Sequence, residues 1–170
     1  MREGIVHTLL VLRHAKAAGE PGVNDLQRPL TSSGQRDAEA AGRWLLAQGI
    51  VPGRVICSPS QRTRETWARL GSALGAAAPD RSAVSFDRRV YDAGVQALLY
   101  LVAEQPGEAA AVMIVGHNPA SHELAAELTG RRDFAFPPCA LAVIQLTGSW
   151  ADAVPGTGEL AALWTPQQYS

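Results

Sequence analysis

Two short apolar runs in this sequence each end on a histidine. Leu9-Leu10-Val11-Leu12 runs into Arg13-His14, and Ala111-Val112-Met113-Ile114-Val115 runs into Gly116-His117-Asn118-Pro119. A third run, Arg54–Cys57, ends at Ser58-Pro59, with Arg62 one turn further on and Arg64 as an additional candidate. Imidazole can attack phosphorus or move protons, and the guanidinium fork matches a pair of phosphoryl oxygens. Serine and asparagine side chains add neutral donors. Arg13, His14, Ser58, Arg62, His117 and Asn118 together therefore point to phosphoryl chemistry, provided the fold brings the three run ends to one place.

Short continuous apolar runs read as strands buried on both faces, and in open α/β sheets ligands collect at the carboxyl ends of such strands. The surrounding pattern alternates strand and helix. A strand over about Thr8–Arg13 is followed by a loop holding Gly19, Pro21, Gly22, Asn24 and Pro29. A helix over Ser32–Gln48 follows, with Thr31 as N-cap, Gly49 as its stop and a stripe of Ala38, Ala41, Leu45 and Leu46. Arg54–Cys57, Ser60–Leu74, Val84–Asp87, Val95–Glu104, Ala111–Val115 and Ala120–Leu128 continue the alternation. Ala140–Gln145 and Leu160–Trp164 read as strands with no helix between them, which requires an antiparallel or edge pairing. The expected fold is α/β: a three-layer sandwich, its mostly parallel central sheet flanked by helices, with one antiparallel or edge strand near the C-terminus. Residues 1–170 are expected to form one domain.

Bulk properties narrow the function classes. The sequence of 170 residues is 46% hydrophobic and 18% charged, with a formal net charge of −1, which argues against nucleic acid or an anionic membrane as a partner held by bulk charge. Cys57 and Cys139 are too few and too far apart for a disulfide scaffold or a zinc site, and read as small buried hydrophobes. Met1-Arg2-Glu3-Gly4-Ile5 begins no long apolar leader, and no stretch approaches a membrane span, so a reduced, cytoplasmic setting is expected. The carboxylate-rich cluster of a metal-dependent hydrolase is missing.

The motifs resemble those of the histidine phosphatase (phosphoglycerate mutase-like) superfamily. Leu12-Arg13-His14 followed by a small residue looks like that family's Arg-His-Gly signature. Arg28-Pro29-Leu30-Thr31 with Gly34, Ser58-Pro59 with Arg62 and Thr66, and Val115-Gly116-His117-Asn118-Pro119 fall in the family's order, from about Leu9 to Leu128. The chain is most similar to the short, SixA-type phosphohistidine phosphatases, which lack the large insertions of mutases and acid phosphatases. The resemblance implies His14 as the nucleophile, with Arg13, Arg62 and His117 as the cationic pocket around the transferring group. Water would then hydrolyse a phosphohistidine intermediate, and no metal or organic cofactor is implied. The implied partner is a phosphorylated protein carrying phosphohistidine, or else a small phosphorylated metabolite, acted on by a monomer or weak dimer. A small-molecule phosphomonoesterase and a non-catalytic phosphate-binding module are the alternatives.

Two positions depart from that pattern. Ala15 replaces the glycine expected after His14; alanine disfavours positive φ, so the backbone there is either unstrained or re-aimed. The proton donor is open between Asp92, roughly where larger members keep an acid, and Asp25 in the first loop, the weaker candidate. An alkoxide leaving group needs a positioned acid, whereas a phosphohistidine can arrive already protonated and leave as neutral imidazole. His7 is expected at the surface, and His122 beside the site or on a helix surface. Arg88-Arg89 and Arg131-Arg132 are expected as turn charges, and Trp44, Trp67, Trp150 and Trp164 as packing residues.

Overall fold

The apolar run ending at Arg13-His14 lies in the middle of the sheet. In a computed structural model, which describes residues 4–170, β1 (Val6–Arg13) pairs in parallel with β4 (Ala111–Gly116) and antiparallel with β5 (Leu141–Thr147). Met1–Glu3, the start of the stretch read for a leader, lie outside the described residues. Outward from β4 come β2 (Arg54–Cys57) and β3 (Val84–Phe86), both parallel; outward from β5 comes β6 (Gly158–Trp164), antiparallel to it. The order is β3-β2-β4-β1-β5-β6. The sheet is mixed as expected, and the C-terminal strands extend beyond their apolar centres because backbone pairing continues where hydrophobicity stops.

Side-chain alternation along β1 divides the core into two layers. Leu9 and Val11 pack with Leu98, Leu101, Val102, Leu124 and Leu128, on α4 (Val95–Ala103) and α5 (Ala120–Thr129). Leu10 and Leu12 pack with Ala38, Ala41, Leu45, Leu70 and Leu74, on α1 (Ser32–Gln48) and α2 (Gln61–Leu74). Both faces of β1 are thus covered, which is why its sequence shows no polar alternation. A short helix, α3 (Arg89–Asp92), precedes α4.

The caps of α1 follow the sequence: Thr31 accepts from the Gly34 N–H, and Gly49 takes a left-handed φ of 70°. Leu46, placed in the buried stripe from sequence, is instead 46% exposed, one residue off the face that Leu45 buries. Ser60 caps α2 from outside the helix, its side chain accepting from the Thr63 N–H. Between β5 and β6 there is a 3-10 turn, Trp150–Asp152, that buries Trp150 with its Nε1 donating to the Ala109 carbonyl at 2.9 Å. His7 corrects another expectation. It lies inside β1, buried under the loops at that end of the sheet, with its ring nitrogens 2.6 Å from the Gly148 carbonyl and 3.1 Å from the Gly107 carbonyl. Cys57 and Cys139 are buried free thiols, as expected. Among the described residues no helix is long and apolar enough to cross a membrane.

The close approach of α1 and α2 depends on Gly42. A Cβ there would stand 2.5 Å from the Leu70 carbonyl oxygen and 2.7 Å from the Ala73 Cβ. We expect Gly42→Ala to force the helices apart and cost about 1–3 kcal/mol in chemical denaturation. An unchanged denaturation midpoint would contradict this packing.

Candidate active site

Strand register brings the candidate residues together. Leu12 pairs with Val115 and Arg13 with Gly116, so the next residue of each strand is a histidine. The His14 N–H continues the ladder to the Gly116 carbonyl at 2.9 Å, and the His14 and His117 ring centroids lie 5.3 Å apart. Cys57 pairs with Val115 from the other side, which places Ser58 beside His117. Arg13, His14, Asp25, Arg28, Arg62, Tyr91, Asp92, His117 and Asn118 line a cavity of about 500 Å³ at this edge. A larger groove lies elsewhere, along α1 and the C-terminal turn, and contains none of these residues.

His14 is held by backbone. Its Nδ1 lies 2.7 Å from the Ala15 carbonyl oxygen. A carbonyl can only accept, so Nδ1 carries the proton and Nε2 keeps its lone pair. Ala15 is fully buried and its N–H donates to Thr66 Oγ1 at 3.0 Å. It does not adopt positive φ, so alanine stands there without backbone strain. The His14 carbonyl in turn accepts from the Cys139 N–H at 2.9 Å, from a residue at a left-handed φ of 65°.

The cations are anchored at two places, the Phe136 carbonyl and Asp25. Arg13 Nη1 and Asn118 Nδ2 both donate to the Phe136 carbonyl, at 3.0 and 2.9 Å. Arg62, almost fully buried, sends Nη1 to the Asp25 carbonyl at 2.7 Å and Nη2 to the Asp25 carboxylate at 3.0 Å. Arg28 donates to the Ala18 carbonyl at 3.0 Å and to Asp25 Oδ1 at 3.2 Å. The Nε atoms of Arg13 and Arg62 and the Oδ1 of Asn118 are buried without a partner. Unpaired buried polar atoms of this kind are costly.

Burial and surrounding positive charge keep both imidazoles neutral. Burial lowers His14 to about 4, with Arg62, Arg13 and Arg28 adding to it against the Ala15 hydrogen bond. Burial, then His14 and Arg62, lowers His117 to about 3. The Tyr91 hydroxyl, followed by Arg62 and Arg28, holds Asp25 down at about 2.

Several sequence assignments change on this geometry. Ser58 is fully buried and outside the cavity lining; its Oγ lies 2.8 Å from His117 Nε2, so it orients His117 instead of facing the cavity. Arg64 lies over the Phe86 ring at 4.0 Å and is likewise not in the lining. Asp92 is in the lining, but its half-exposed carboxylate pairs with Arg88 at 3.1 Å. Asp25, the weaker candidate from sequence, is the carboxylate that contacts the site's arginines. Arg28 and Tyr91 were not among the sequence-derived site residues. Arg28 had a signal, since it begins the Arg-Pro-Leu-Thr motif; Tyr91 stood next to Asp92 with no pattern of its own. His122 stacks on Phe136 at 5.7 Å and so supports the segment that anchors Arg13 and Asn118. Arg88, Arg89, Arg131 and Arg132 all pair with nearby carboxylates, as turn charges do. Among the described residues no three or more His, Cys, Asp or Glu side chains group closely enough to hold a metal ion.

Residues 9–83 match the histidine phosphatase superfamily (branch 1). An uncharacterized protein of Mycobacterium tuberculosis, Rv1276c, is 32% identical over 166 residues, spanning 92% of this chain and 100% of its own. This chain belongs to the histidine phosphatase superfamily. Within that superfamily it is similar to phosphohistidine phosphatase SixA of Escherichia coli, at 29% identity over 83% of this chain and 86% of the relative. It also matches a solved structure of the protein histidine phosphatase SixA complexed with tungstate, with a TM-score of 0.80 and 25% identity, covering 96% of this chain and 99% of that one. For a histidine phosphatase, a neutral imidazole with a free Nε2 beside three arginines is a consistent arrangement.

The depressed histidine values have a definite sign. Both groups bind a proton less readily folded than unfolded, so they contribute stability above the ordinary imidazole value near 6.5 that is lost as pH falls toward about 4 and about 3. We expect the His14 and His117 ring resonances of the empty protein to stay in the neutral form from pH 8 to pH 5.5 (about one and a half units above the His14 value). Titration of either ring with a midpoint above about 6 would overturn this electrostatic account.

Proposed function

We propose that this histidine phosphatase removes the phosphoryl group from phosphohistidine in a protein, using His14 as nucleophile and passing through a phosphohistidine intermediate. The observation that carries the reading is the Nδ1 hydrogen bond of His14 to the Ala15 carbonyl, which presents Nε2 as a lone pair to a cavity lined by Arg13, Arg28 and Arg62. A module that only binds phosphate has no use for an imidazole held in that tautomer.

His14 Nε2 attacks phosphorus and the bond to the leaving group breaks. Arg13 and Arg62, both in the cavity lining, stabilise the equatorial oxygens as charge spreads over them. His117 stands beside them as a neutral ring, oriented by the 2.8 Å contact between its Nε2 and Ser58 Oγ. Asn118, anchored on the Phe136 carbonyl, completes the binding set. Water then attacks the phosphorylated His14, releasing phosphate. The similarity to a SixA that holds tungstate, an oxyanion of phosphate-like shape, supports an anion in this cavity.

The carboxylates favour a labile leaving group. Asp25 is kept ionised, and the Asp92 carboxylate is half exposed and paired with Arg88, so neither is buried against the leaving group. An alkoxide would need a positioned acid; a phosphohistidine protonated on its far nitrogen would not. Asp92 does line the cavity, and that observation favours the second reading, a small-molecule phosphomonoesterase with Asp92 as its acid.

Brief incubation with a radiolabelled phosphohistidine-containing protein should give an acid-labile, base-stable phosphoenzyme. His14→Ala should abolish it and lower turnover at least about 1,000-fold. Turnover that survives His14→Ala would overturn the nucleophile assignment. Asp92→Asn separates the two readings. Phosphohistidine hydrolysis should change little against a loss on alkyl phosphates of about 100-fold, the size of a general-acid contribution. An equal loss on every substrate would assign Asp92 a structural role.

A further inference from the structure

A carboxylate is out of place in a phosphate pocket, since it repels the phosphoryl group and neutralises the arginines that would bind it. Asp25 nevertheless lines the cavity, and its side chain is 50% exposed. Three donors fix it there. Oδ2 accepts from Arg62 Nη2 at 3.0 Å and from the Tyr91 hydroxyl at 2.7 Å, and Oδ1 accepts from Arg28 Nη1 at 3.2 Å. An ionised carboxylate offers about four lone-pair sites. These contacts leave one on Oδ1 without a partner among the described residues. Tyr91 also packs its ring edge-on against His117, at 5.6 Å between centroids, so the carboxylate is tied to the same wall of the cavity as the second histidine.

We propose that Asp25 determines the specificity of the site, receiving on Oδ1 the free ring N–H of an incoming phosphohistidine. The proposal rests on the phosphohistidine reading and gives it a selecting residue. A phosphohistidine protonated on its far nitrogen carries a positive ring and a negative phosphoryl group. The arginines bind the phosphoryl end, and Asp25 binds the ring. His14 Nε2 forms the new P–N bond while the old one breaks. The electron pair stays on the leaving nitrogen, and the ring departs as neutral imidazole with the proton it already held. No acid is consumed. Phosphate esters of alcohols and phenols carry no positive ring, so for them Asp25 is only a repulsive charge. Its low proton affinity suits an acceptor role.

The test compares kcat/KM for N-phosphoimidazole and for p-nitrophenyl phosphate in the wild-type protein and in Asp25→Asn. The amide keeps an acceptor oxygen for Arg62 and Tyr91 and leaves the main-chain carbonyl in place, but removes the charge. We expect the ratio of phosphoimidazole to aryl phosphate kcat/KM to fall about tenfold, the scale of one charge-assisted hydrogen bond. An unchanged ratio, including an equal loss on both substrates through a displaced Arg62, overturns the proposal. The same ratio in Asp25→Glu, which restores the charge, should recover at least in part; failure to recover also counts against it. Trapping of the phosphoenzyme at His14 in the wild-type protein keeps the two ideas apart. If neither donor labels His14, the parent reading fails; if both do and the ratio holds, only the role of Asp25 fails.

Discussion

Everything the site does depends on the hydrogen bond from His14 Nδ1 to the carbonyl of the next residue, Ala15. It decides the tautomer, and the tautomer decides which nitrogen is a nucleophile. The bond is only as rigid as the Ala15 peptide. Thr66 holds that peptide, accepting from the Ala15 N–H and donating its own hydroxyl to the Arg62 carbonyl at 2.7 Å. One threonine on α2 therefore fixes the support of His14, the proposed nucleophile, and the backbone of the cation beside it. Gly34 completes the arrangement, because a Cβ there would stand 2.2 Å from the Lys16 carbonyl oxygen. With Gly34 in place, the Thr31 N–H reaches that same oxygen at 2.9 Å and closes the base of the loop.

The electrostatics follow from where the sheet puts these groups. Burial removes the water that would stabilise an imidazolium, and the nearby arginines raise its cost further. The same surroundings that make His14 a free base make the cavity attractive to an anion. Asp25 keeps the arrangement tolerable while it is empty, by pairing with Arg62 and Arg28.

Much of this was legible in the sequence for a physical reason. Strands buried on both faces must be apolar throughout, so β1, β2 and β4 stand out as runs, and a parallel sheet aligns their ends. Arg13 ends β1, and His14, Arg62, His117 and Asn118 lie one to five residues beyond the strand ends, so the sequence could place them at one edge. Ser58 lies one residue beyond β2 as well, but its hydroxyl meets His117 Nε2, since sequence gives distance along the chain and not which way a hydroxyl turns. Asp25, Arg28 and Tyr91 come from a loop and a four-residue helix, where no periodicity announces direction. Their meeting rests on hydrogen bonds spanning 37 and 66 residues. His7 was misread because the loops that cover it, around Gly107 and Gly148, are distant in sequence.

On the proposed reaction, donor and acceptor are chemically the same: a phosphoryl group passes from one imidazole to another. Each ring keeps a proton on its far nitrogen, held by Asp25 on the substrate side and by the Ala15 carbonyl on the enzyme side. Such a transfer is close to balanced in free energy, so the protein need not stabilise an unusual intermediate. What must be asymmetric is the fate of the product. Phosphorylated His14 is as labile as the substrate it came from, and it lies at the carboxyl edge of the sheet in a cavity whose carboxylates, Asp25 and Asp92, are each about half exposed to solvent. Water reaches a site of that kind readily. A mutase must keep water from its phosphohistidine with a covering segment, whereas a phosphatase gains from leaving it open. The accessible mouth of this cavity therefore fits hydrolysis and leaves room for a substrate carried on the surface of a protein.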